Sequence, residues 1–288
     1  MSLNFKQVAI IGAGHIGASV GIALKKRGFG EKIVGLGRSR KNLEDALRIG
    51  CIDVMEMEPG AFLRESDLVV LCTPVRSIPE WTKRLRNFFP GNVYITDAGS
   101  VKGIIASVAQ RAGFGSNFVP AHPIAGTEKS GALSADPELF NGRMCILTPL
   151  AENSPAAIKA VREFWKFIGC RVVEMLPDEH DSILGLVSHL PHAVAFCLVS
   201  AVKIAGGQKA IDLAGGGFRD YTRIAASSPE MWRDIFLSNK KKVLKSIKIF
   251  QKELKGLSDA IADNKDNEIM EFLSGIREFK KKMIPPNG

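Results

Sequence analysis

"VAIIGAGHIGASVGIALKKRG", residues 8–28, is the stretch of sequence that decides the fold of the N-terminal half of the chain. A short β-branched run leads into a glycine loop of the form GxGxxG, and an amphipathic stretch follows directly. The first glycine permits a tight turn, the second lets a pyrophosphate approach the backbone, and the third lets strand and helix pack closely. The stretch therefore predicts the start of a βαβ unit that binds a dinucleotide at a helix N-terminus. The predicted cofactor contacts in the loop are Gly12, Gly14, His15, Ile16 and Gly17, with no catalytic role expected for His15.

The same alternation of short apolar runs and amphipathic stretches continues to about residue 175. The predicted strands are 8–13, 32–37, 67–73, 92–98, 117–122, 144–150 and 171–175, and the predicted helices are 15–27, 39–49, 77–88, 102–112 and 154–168. Such alternation is typical of a parallel sheet covered by helices on both faces. From Pro177 onward the β signal disappears, and the helical pattern is broken by GGG at 215–217 and SSP at 227–229. The predicted fold is α/β: a Rossmann-type doubly wound, mostly parallel sheet in residues 1–176, then an all-helical domain in residues 177–288.

Composition indicates a soluble globular protein, since the 288 residues are 45% hydrophobic and 24% charged. No apolar run approaches the roughly 18 residues of a membrane span, and no signal peptide is evident at the start. The five cysteines are scattered singly, with no CxxC pair. That pattern favours buried, reduced thiols and a cytoplasmic location over disulfides or a zinc site.

The net charge of +9 is compatible with nucleic acid, an anionic membrane or a small anionic ligand as partner. Much of the basicity lies in the last fifty residues, where lysines alternate with apolar residues at helical spacing. A solvated helix face explains that pattern, and no nucleic-acid motif accompanies it. We therefore expect neither nucleic acid nor a membrane as partner, and we expect a small anionic substrate.

The end of the second predicted strand bears on the choice of dinucleotide. NAD sites commonly place an acidic residue there to hold the ribose 2′-hydroxyl, whereas this chain has Gly37 followed by Arg38, Ser39 and Arg40. Basic and hydroxyl side chains in this place favour the 2′-phosphate of NADP, with NAD as the other possibility. The alternative is a solvated turn before the next helix. Further cofactor contacts are predicted at Thr73 and Pro74, where the strand 67–73 ends.

Four further stretches carry polar side chains toward a second site. "TDAGSVK" (96–102) and "AHPIAGTEKSG" (121–131) each follow a predicted strand, which brings Ser100 and His122 to the carboxyl edge of the sheet, where such folds bind ligands. "DEHDSILGLVSHLPH" (178–192) opens the helical half, and "GGGFRDYTRIAASSPEMWRDIFLSN" (215–239) follows later. In the former, Asp181, Ser188 and His192 fall on one face of a regular helix that Pro191 is expected to kink.

With these motifs in view, the chain resembles the prephenate/arogenate dehydrogenase family of tyrosine biosynthesis. GAGHIGAS, DAGSVK, HPIAGTEKSG, SHLPH and GFRDYTRIA occur in the family's order and spacing over nearly the whole chain. The resemblance implies NAD(P)-dependent oxidative decarboxylation of prephenate to 4-hydroxyphenylpyruvate, or of arogenate to tyrosine. It also implies a homodimer formed through the helical domain.

The resemblance assigns roles to individual residues of this chain. His122 is expected to hydrogen-bond the ring hydroxyl of the substrate and to accept its proton, with Ser100 supporting the same oxygen. Arg223 is expected to hold the ring carboxylate. The other predicted substrate contacts are Ser188, His189, His192 and Lys129, and Glu128 is expected on the pocket wall beside Lys129. Independently of the family, histidine is the natural base for a hydroxyl near neutral pH.

Several alternatives stay open at this point. A histidine after a strand is usually structural, although the accompanying motifs favour catalysis here. The HxxH at 189–192 lacks a third ligand at sensible spacing, so no metal is expected. The sequence leaves His180 and Arg219 undecided between structural and functional roles. Lys129 favours the pyruvyl carboxylate of prephenate over the ammonium of arogenate. The rival functions are a β-hydroxyacid-type dehydrogenase and a non-catalytic NADP-sensing protein.

Overall fold

The computed structural model describes residues 3–88, 93–126 and 129–283. Two compact units make up the chain, Met1–Lys240 and Lys241–Gly288. The first unit contains both predicted sites. The second unit consists of most of helix α10 (Lys240–Ala262), the turn after it and helix α11 (Asp266–Met283).

A five-stranded parallel sheet forms the centre of the first unit. Its strands are β1 (Gln7–Ile11), β2 (Lys32–Leu36), β3 (Val54–Glu56), β4 (Leu68–Leu71) and β5 (Tyr94–Asp97), in the order β3-β2-β1-β4-β5. The helices between them are α1 (His15–Lys26), α2 (Arg40–Arg48), α3 (Ile78–Leu85) and, after β5, α4 (Lys102–Arg111). The sequence missed β3 because its residues, VME, lack the β-branched run by which the other strands were recognised.

Both faces of this sheet are buried, as the apolar strands predicted. Along β1, Val8 and Ile10 belong to one hydrophobic cluster, and Ala9 and Ile11 belong to another on the opposite face. Alternate side chains of a strand point to opposite faces, so a strand with no polar face requires a covering layer on each side. The predicted doubly wound, Rossmann-type fold class is confirmed.

A second, three-stranded sheet contains His122. It consists of β6 (Ala121–Pro123), β7 (Met144–Leu147) and β8 (Arg171–Glu174), in which β6 runs antiparallel to β7. Helix α5 (Pro155–Phe167) connects β7 to β8. The predicted strand 117–122 was therefore wrong in extent, and His122 lies within a strand instead of after one. Pro120 explains the late start, because proline has no N–H to donate to a ladder.

The rest of the first unit is helical. It comprises α6 (Pro177–Leu184), a π-helical turn (Gly185–His189), α7 (Leu190–Asp212), α8 (Gly216–Thr222), a 3₁₀ turn (Arg223–Ala226) and α9 (Pro229–Ser238). The predicted break at SSP is the start of α9, where the Ser228 hydroxyl accepts a hydrogen bond from the Met231 N–H. Among the described residues no strand follows Glu174. The predicted boundary at residue 176 coincides with this change, but Trp232 and Ile235 of α9 pack into a cluster of the parallel sheet. The division into two domains at that point stays a prediction.

Pro191 distorts its helix through the π turn that directly precedes it. Proline has no N–H to donate to the carbonyl four residues earlier, so one helical hydrogen bond is lost. The wider π turn accommodates this loss. The helical stretch Pro177–Asp212, in which Gly207 has non-helical backbone angles, contains an 18-residue window of mean hydropathy 1.7, of which 22% is buried. By length and composition it is able to cross a membrane, so the expectation that no segment approaches a span was wrong on this measure. Such composition is weak evidence for a span, because helices that pack against protein share it.

Candidate active site

The three loop glycines each have a distinct structural reason. Gly12 has φ of +93°, and a Cβ there would lie 2.9 Å from the Cys72 carbonyl oxygen. A Cβ on Gly17 would lie 2.2 Å from the Gly12 oxygen, whereas a Cβ on Gly14 would meet nothing within 4 Å. The first and third glycines therefore allow the loop, helix α1 and the sheet to pack closely. The second glycine leaves open space for a ligand.

A cavity of about 270 Å³ opens beside this loop. It is lined by Gly12, Ala13, Gly14, Gly37, Arg38, Ser39, Asn42, Leu43, Cys72, Thr73, Pro74 and Trp81. The buried Thr73 hydroxyl has no hydrogen-bond partner among the described residues. An open glycine, an unpartnered buried hydroxyl and the N-terminus of α1 fit the phosphates and ribose of a dinucleotide.

The remaining predicted cofactor contacts lie around this cavity. Ser39 caps α2, since its hydroxyl accepts a hydrogen bond from the Asn42 N–H at 3.3 Å, and its own hydrogen stays available to donate. Arg38 and Arg40 are exposed on either side of it, and Arg40 lies 4.0 Å from Glu44. Ile16 is half-buried in the first turn of α1.

His15 is occupied by a structural contact. Its Nδ1 lies 2.9 Å from the Ser134 carbonyl oxygen and 3.0 Å from the Ser134 hydroxyl, and the ring is buried. Asn42 braces the same region, because its amide donates to the Ala13 oxygen and accepts from the Ala132 N–H. The side chain of His15 thus holds the glycine loop against residues 131–134.

A fully buried ion pair fixes the backbone next to His122. The Lys102 ammonium lies 2.5 Å from Oδ2 of Asp97, at the end of β5, and 2.5 Å from the Ala121 carbonyl oxygen. The other carboxylate oxygen of Asp97 accepts from the Ala121 N–H at 3.1 Å. Burial raises the pKa of Asp97 and lowers the pKa of Lys102, while the opposite charge of each partner opposes the shift. The pair therefore holds both backbone groups of the residue that precedes His122.

His122 itself is hydrogen-bonded to a second histidine. Its Nδ1 lies 2.9 Å from Nε2 of His180, whose own Nδ1 lies 2.8 Å from Oδ1 of Asp181. Burial lowers the pKa of His122 well below 6.5, assisted by the charge of Lys102 and by the charge that His180 and His189 would carry if protonated. The ring is therefore neutral at pH 7, which is the state required of a proton acceptor.

The ion pair also links this histidine to the cofactor cavity. Cys72 lines the cavity, and burial and the charge of Asp97 together raise the pKa of its thiol. Asp97 in turn binds the backbone of Ala121. Cys72, which follows β4, and Asp97, which ends β5, both lie at the carboxyl ends of these strands, the edge at which open α/β sheets bind ligands.

Two more histidines are held around Trp232. The ring of His192 stacks on Trp232 with centroids 3.7 Å apart, and the ring of His189 meets it edge-on at 6.0 Å. Asn239 lies 3.1 Å from Nδ1 of His189 and donates to the Asp181 carbonyl oxygen. Burial lowers the pKa of His189 to about 4. The indole N–H of Trp232 is buried without a hydrogen-bond partner among the described residues.

The other predicted substrate contacts are placed as follows. Arg223 is exposed at the start of the 3₁₀ turn, close enough to His192 for its charge to help burial lower the pKa of that ring. Ser188 is half-buried in the π turn, where its carbonyl oxygen, 2.9 Å from Nδ1 of His192, accepts a hydrogen bond. Ser100 is half-buried between β5 and α4, and Lys129 is exposed. Glu128 lies outside the described residues.

Sequence reasoning missed Asp97, Lys102, Trp232 and Asn239, and left His180 undecided. Asp97 and Lys102 stand in the DAGSVK motif, five residues apart, with a charge on each side of a glycine turn. The sequence did contain an indication of this pair, because a lysine and an aspartate stand inside otherwise apolar elements. Burial of either residue requires a partner of opposite charge. In the described part of the chain no group of three or more His, Cys, Asp or Glu side chains is arranged to hold a metal ion.

A glycine loop on an open parallel sheet, with a hydrogen-bonded histidine next to the carboxyl end of β5, is typical of a nicotinamide-dependent dehydrogenase. The family model "Prephenate dehydrogenase, nucleotide-binding domain" matches residues 20–174, and "Prephenate dehydrogenase, dimerization domain" matches residues 176–275. The chain belongs to the prephenate dehydrogenase family.

Curated relatives agree with this assignment. A cyclohexadienyl dehydrogenase of Zymomonas mobilis is 36% identical over 275 residues, which is 93% of this chain and 92% of that protein. A prephenate dehydrogenase of Bacillus subtilis is 31% identical over 277 residues, which is 95% of this chain and 75% of that protein.

Solved structures agree as well. A prephenate dehydrogenase of Aquifex aeolicus, in complex with hydroxyphenyl propionate and NAD⁺, superposes with a TM-score of 0.93 at 37% identity, over 99% of this chain and 100% of that one. An arogenate dehydrogenase of Synechocystis gives a TM-score of 0.82 at 27% identity, over 96% of this chain and 100% of that one.

Proposed function

We propose that this chain catalyses the oxidative decarboxylation of prephenate to 4-hydroxyphenylpyruvate, with NADP preferred over NAD. The observation that carries the proposal is the placement of His122, a neutral, partly buried histidine fixed by buried partners at the carboxyl edge of a dinucleotide-binding sheet. Membership in the prephenate dehydrogenase family supports the same reaction and sets aside the β-hydroxyacid-type alternative.

The protein itself forms no covalent bond to the substrate in this reaction. The substrate loses hydride from the carbon that bears its ring hydroxyl, loses CO₂ from the ring carbon opposite it, and becomes aromatic. A bound nicotinamide cofactor supplies the hydride acceptor. The chain has to orient the dianion, accept the hydroxyl proton and neutralise charge.

The residues of the site suit these tasks. In this proposal His122 accepts the hydroxyl proton and Ser100 hydrogen-bonds the same oxygen. Arg223 binds the ring carboxylate with its planar pair of donors. His189 and His192, both neutral at pH 7 because burial lowers their pKa, line the pocket as hydrogen-bonding groups without adding charge.

The preference for NADP rests on the residues after β2. Gly37 lines the cavity where NAD sites commonly carry an acidic residue, so a 2′-phosphate meets no repulsion there. Arg38 and Ser39 line the same cavity and are able to donate charge-assisted hydrogen bonds. We expect kcat/KM with NADP to exceed that with NAD by about tenfold or more.

Substrate choice is tested by comparing kcat/KM for prephenate and arogenate with the same preparation. Lys129 favours the pyruvyl carboxylate, so prephenate is the expected better substrate. The 36% identical relative named cyclohexadienyl dehydrogenase supports a second candidate, an enzyme that accepts both. Comparable values for the two substrates would establish that candidate. No reduction of either cofactor with either substrate would leave the non-catalytic NADP-sensing function.

The cofactor proposal has its own experiment. Gly37→Asp combined with Arg38→Ala should reverse the preference toward NAD, because it restores a ribose-binding carboxylate and removes a phosphate-binding guanidinium. Arg27→Ala, an exposed arginine at the far end of α1, serves as the matched control and should leave the preference unchanged. A wild-type chain that prefers NAD, or uses both equally, would contradict the proposal.

We also propose that the protein is a homodimer and works in the cytoplasm. The description of the second matched family model as a dimerization domain supports the dimer. All five cysteines are free, and Cys51, Cys145 and Cys170 are buried, as suits a reducing compartment.

A further inference from the structure

His180 connects the proposed base to a carboxylate through two hydrogen bonds. The partners come from different elements, His122 from β6 and His180 from the middle of α6, 58 residues later. The two rings meet edge-on, with centroids 5.1 Å apart and planes at 63°. Each hydrogen bond falls within the normal range, so the three side chains form one continuous chain of bonds.

Asp181 defines the direction of that chain. Its Oδ1 accepts from the Lys102 N–H at 2.7 Å and its Oδ2 accepts from the Gly103 N–H at 2.8 Å, both at the N-terminus of α4. Burial acts to raise the pKa of Asp181, but these bonds and the one from His180 outweigh it, so the pKa is lowered. Asp181 is therefore ionised at neutral pH and is able only to accept hydrogen bonds.

The protonation of both rings then follows by elimination. Because Asp181 only accepts, Nδ1 of His180 must carry the hydrogen of their shared bond. Burial lowers the pKa of His180, so the ring is neutral and its Nε2 carries a lone pair. His122 must then donate from Nδ1 to that lone pair. A neutral imidazole has one N–H, so Nε2 of His122 is the nitrogen without a proton.

We infer that His180 and Asp181 are positioning residues that select the tautomer of His122, with the proton on Nδ1 and Nε2 left as the acceptor. This inference rests on the proposed function, since it states how the base of that reaction is prepared. It goes beyond that function in assigning a role to His180, which does not line the cofactor cavity and has no proposed contact with the substrate. Among the described residues, the charged and titratable groups that act on His122 or on its partner His180 are Asp181 from α6, Lys102 from α4, Asp97 from β5 and His189 from the π turn.

A purely structural role for His180 is the competing explanation. The residue is fully buried and also helps to tie α6 to the N-terminus of α4. A structural role predicts a loss of stability on substitution but no change in which nitrogen of His122 is protonated. The two explanations therefore differ in a spectroscopic observable.

The test is ¹⁵N NMR of the full chain with labelled histidine, without substrate, near neutral pH. The chain has only 5 histidines, and the His122→Asn variant identifies the signals of His122 by their loss. In the wild type we expect a protonated Nδ1 and an unprotonated Nε2. In His180→Leu, which removes the acceptor, we expect His122 to populate the other tautomer. An unprotonated Nδ1 on His122 in the wild type would overturn the inference outright.

Kinetics supply the second measurement. His180→Leu should lower kcat on the order of 10²-fold with KM near the wild-type value, because tautomer selection serves the chemical step. His180→Gln places an amide near the position of Nε2 and should restore the Nδ1–H form and at least a tenth of wild-type kcat. Glu179→Gln, an exposed neighbour on α6, should behave as wild type.

The outcomes separate this inference from the proposed function. If the wild type oxidises neither prephenate nor arogenate, the function fails, whereas the tautomer is still measured directly. If the wild type is active but His180→Leu, folded by circular dichroism, keeps both its kcat and the wild-type tautomer, His180 is structural and the inference fails alone.

Discussion

At the scale of single residues, the histidines owe their chemistry to what surrounds them. A free histidine titrates near neutral pH, but burial lowers the pKa of His122, His189 and His192, so all three are neutral at pH 7. Neutral rings accept protons and hydrogen bonds without repelling Arg223 or a positively charged reaction centre. The site therefore holds most of its positive charge on arginine and lysine, where a dianionic substrate needs it.

His122→Asn is expected to lower kcat by ~10²–10⁴-fold, the usual effect of losing a general base. Asparagine retains one hydrogen bond but cannot take the proton. The affinity for the dinucleotide, measured by fluorescence titration without substrate, should stay near normal. A variant that kept most of its kcat would direct attention to His189 or His192 as the base.

The same burial fixes the expected pH dependence. Because the pKa of His122 lies well below 6.5, the ring is still unprotonated as pH falls through 6.5. The kcat/KM of the wild type should therefore stay level from about pH 8 to below pH 6.5 and fall only at lower pH, where the ring gains its proton. His122→Asn should lack this acidic limb. An acidic limb centred at or above pH 6.5 would contradict the burial of the ring.

Arg223→Ala is expected to raise the KM for prephenate much more than it lowers kcat. The guanidinium is proposed to hold the ring carboxylate equally in ground and transition states, and the loss of such uniform binding appears in KM. Arg219→Ala, the exposed arginine one turn earlier, is the matched control. An unchanged KM in a folded variant would mean that Arg223 has a structural role.

At the scale of elements, a buried ion pair joins three of them. Asp97 ends β5, Lys102 begins α4, and both bind the backbone of Ala121 in β6. The Asp97 carboxylate thus accepts a hydrogen bond from the backbone N–H of Ala121, as the carbonyl of a neighbouring strand would at the start of the second sheet. Removing one charge would leave the other buried without a partner, which is far more costly than losing an exposed pair.

Lys102→Met is therefore expected to lower the free energy of unfolding by about 3–5 kcal/mol. The double variant Asp97→Asn/Lys102→Met should recover part of this loss, because it removes both charges. Urea denaturation of the two variants and of Lys83→Met, an exposed lysine on α3, measures these differences. A single variant as stable as the Lys83→Met control would show that the pair contributes nothing.

At the scale of the whole molecule, the helical stretch Pro177–Asp212 leaves much of its apolar surface exposed in the single chain. Ile204 is 83% exposed and Val187 is 63% exposed. Apolar surface of this extent on one subunit is typical of a surface that another protein covers. The proposed homodimer supplies that cover, and the apolar composition then needs no membrane.

Light scattering coupled to size exclusion should give the mass of a dimer, about twice 31.3 kDa. Ile204→Asp should shift the protein toward the monomer, because a charge cannot be buried unpaired in an apolar interface. Leu47→Asp introduces the same charge at an exposed apolar position of α2 and should leave the dimer intact. A wild type that elutes as a monomer at micromolar concentration would refute the dimer.

The sequence by itself determined the features that follow from local rules. The glycine loop, the apolar parallel strands and the helix boundaries at Pro177 and SSP could all be predicted, because backbone sterics and burial fix them within a few residues. His122 was identified as a candidate from a motif and its proximity to a strand. Local patterns also indicated that the basic turn after β2, residues 38–40, is a candidate phosphate site.

Only the tertiary structure decided which side chains meet. Nothing local indicates that Lys102 closes on Asp97 around the backbone of Ala121, or that His180 reaches His122 across 58 residues. The strand that holds His122 belongs to a separate sheet, and the π turn before Pro191 changes which residues of that helix share a face. Such contacts depend on the packing of distant elements, and only that packing sets the burial that makes these histidines neutral.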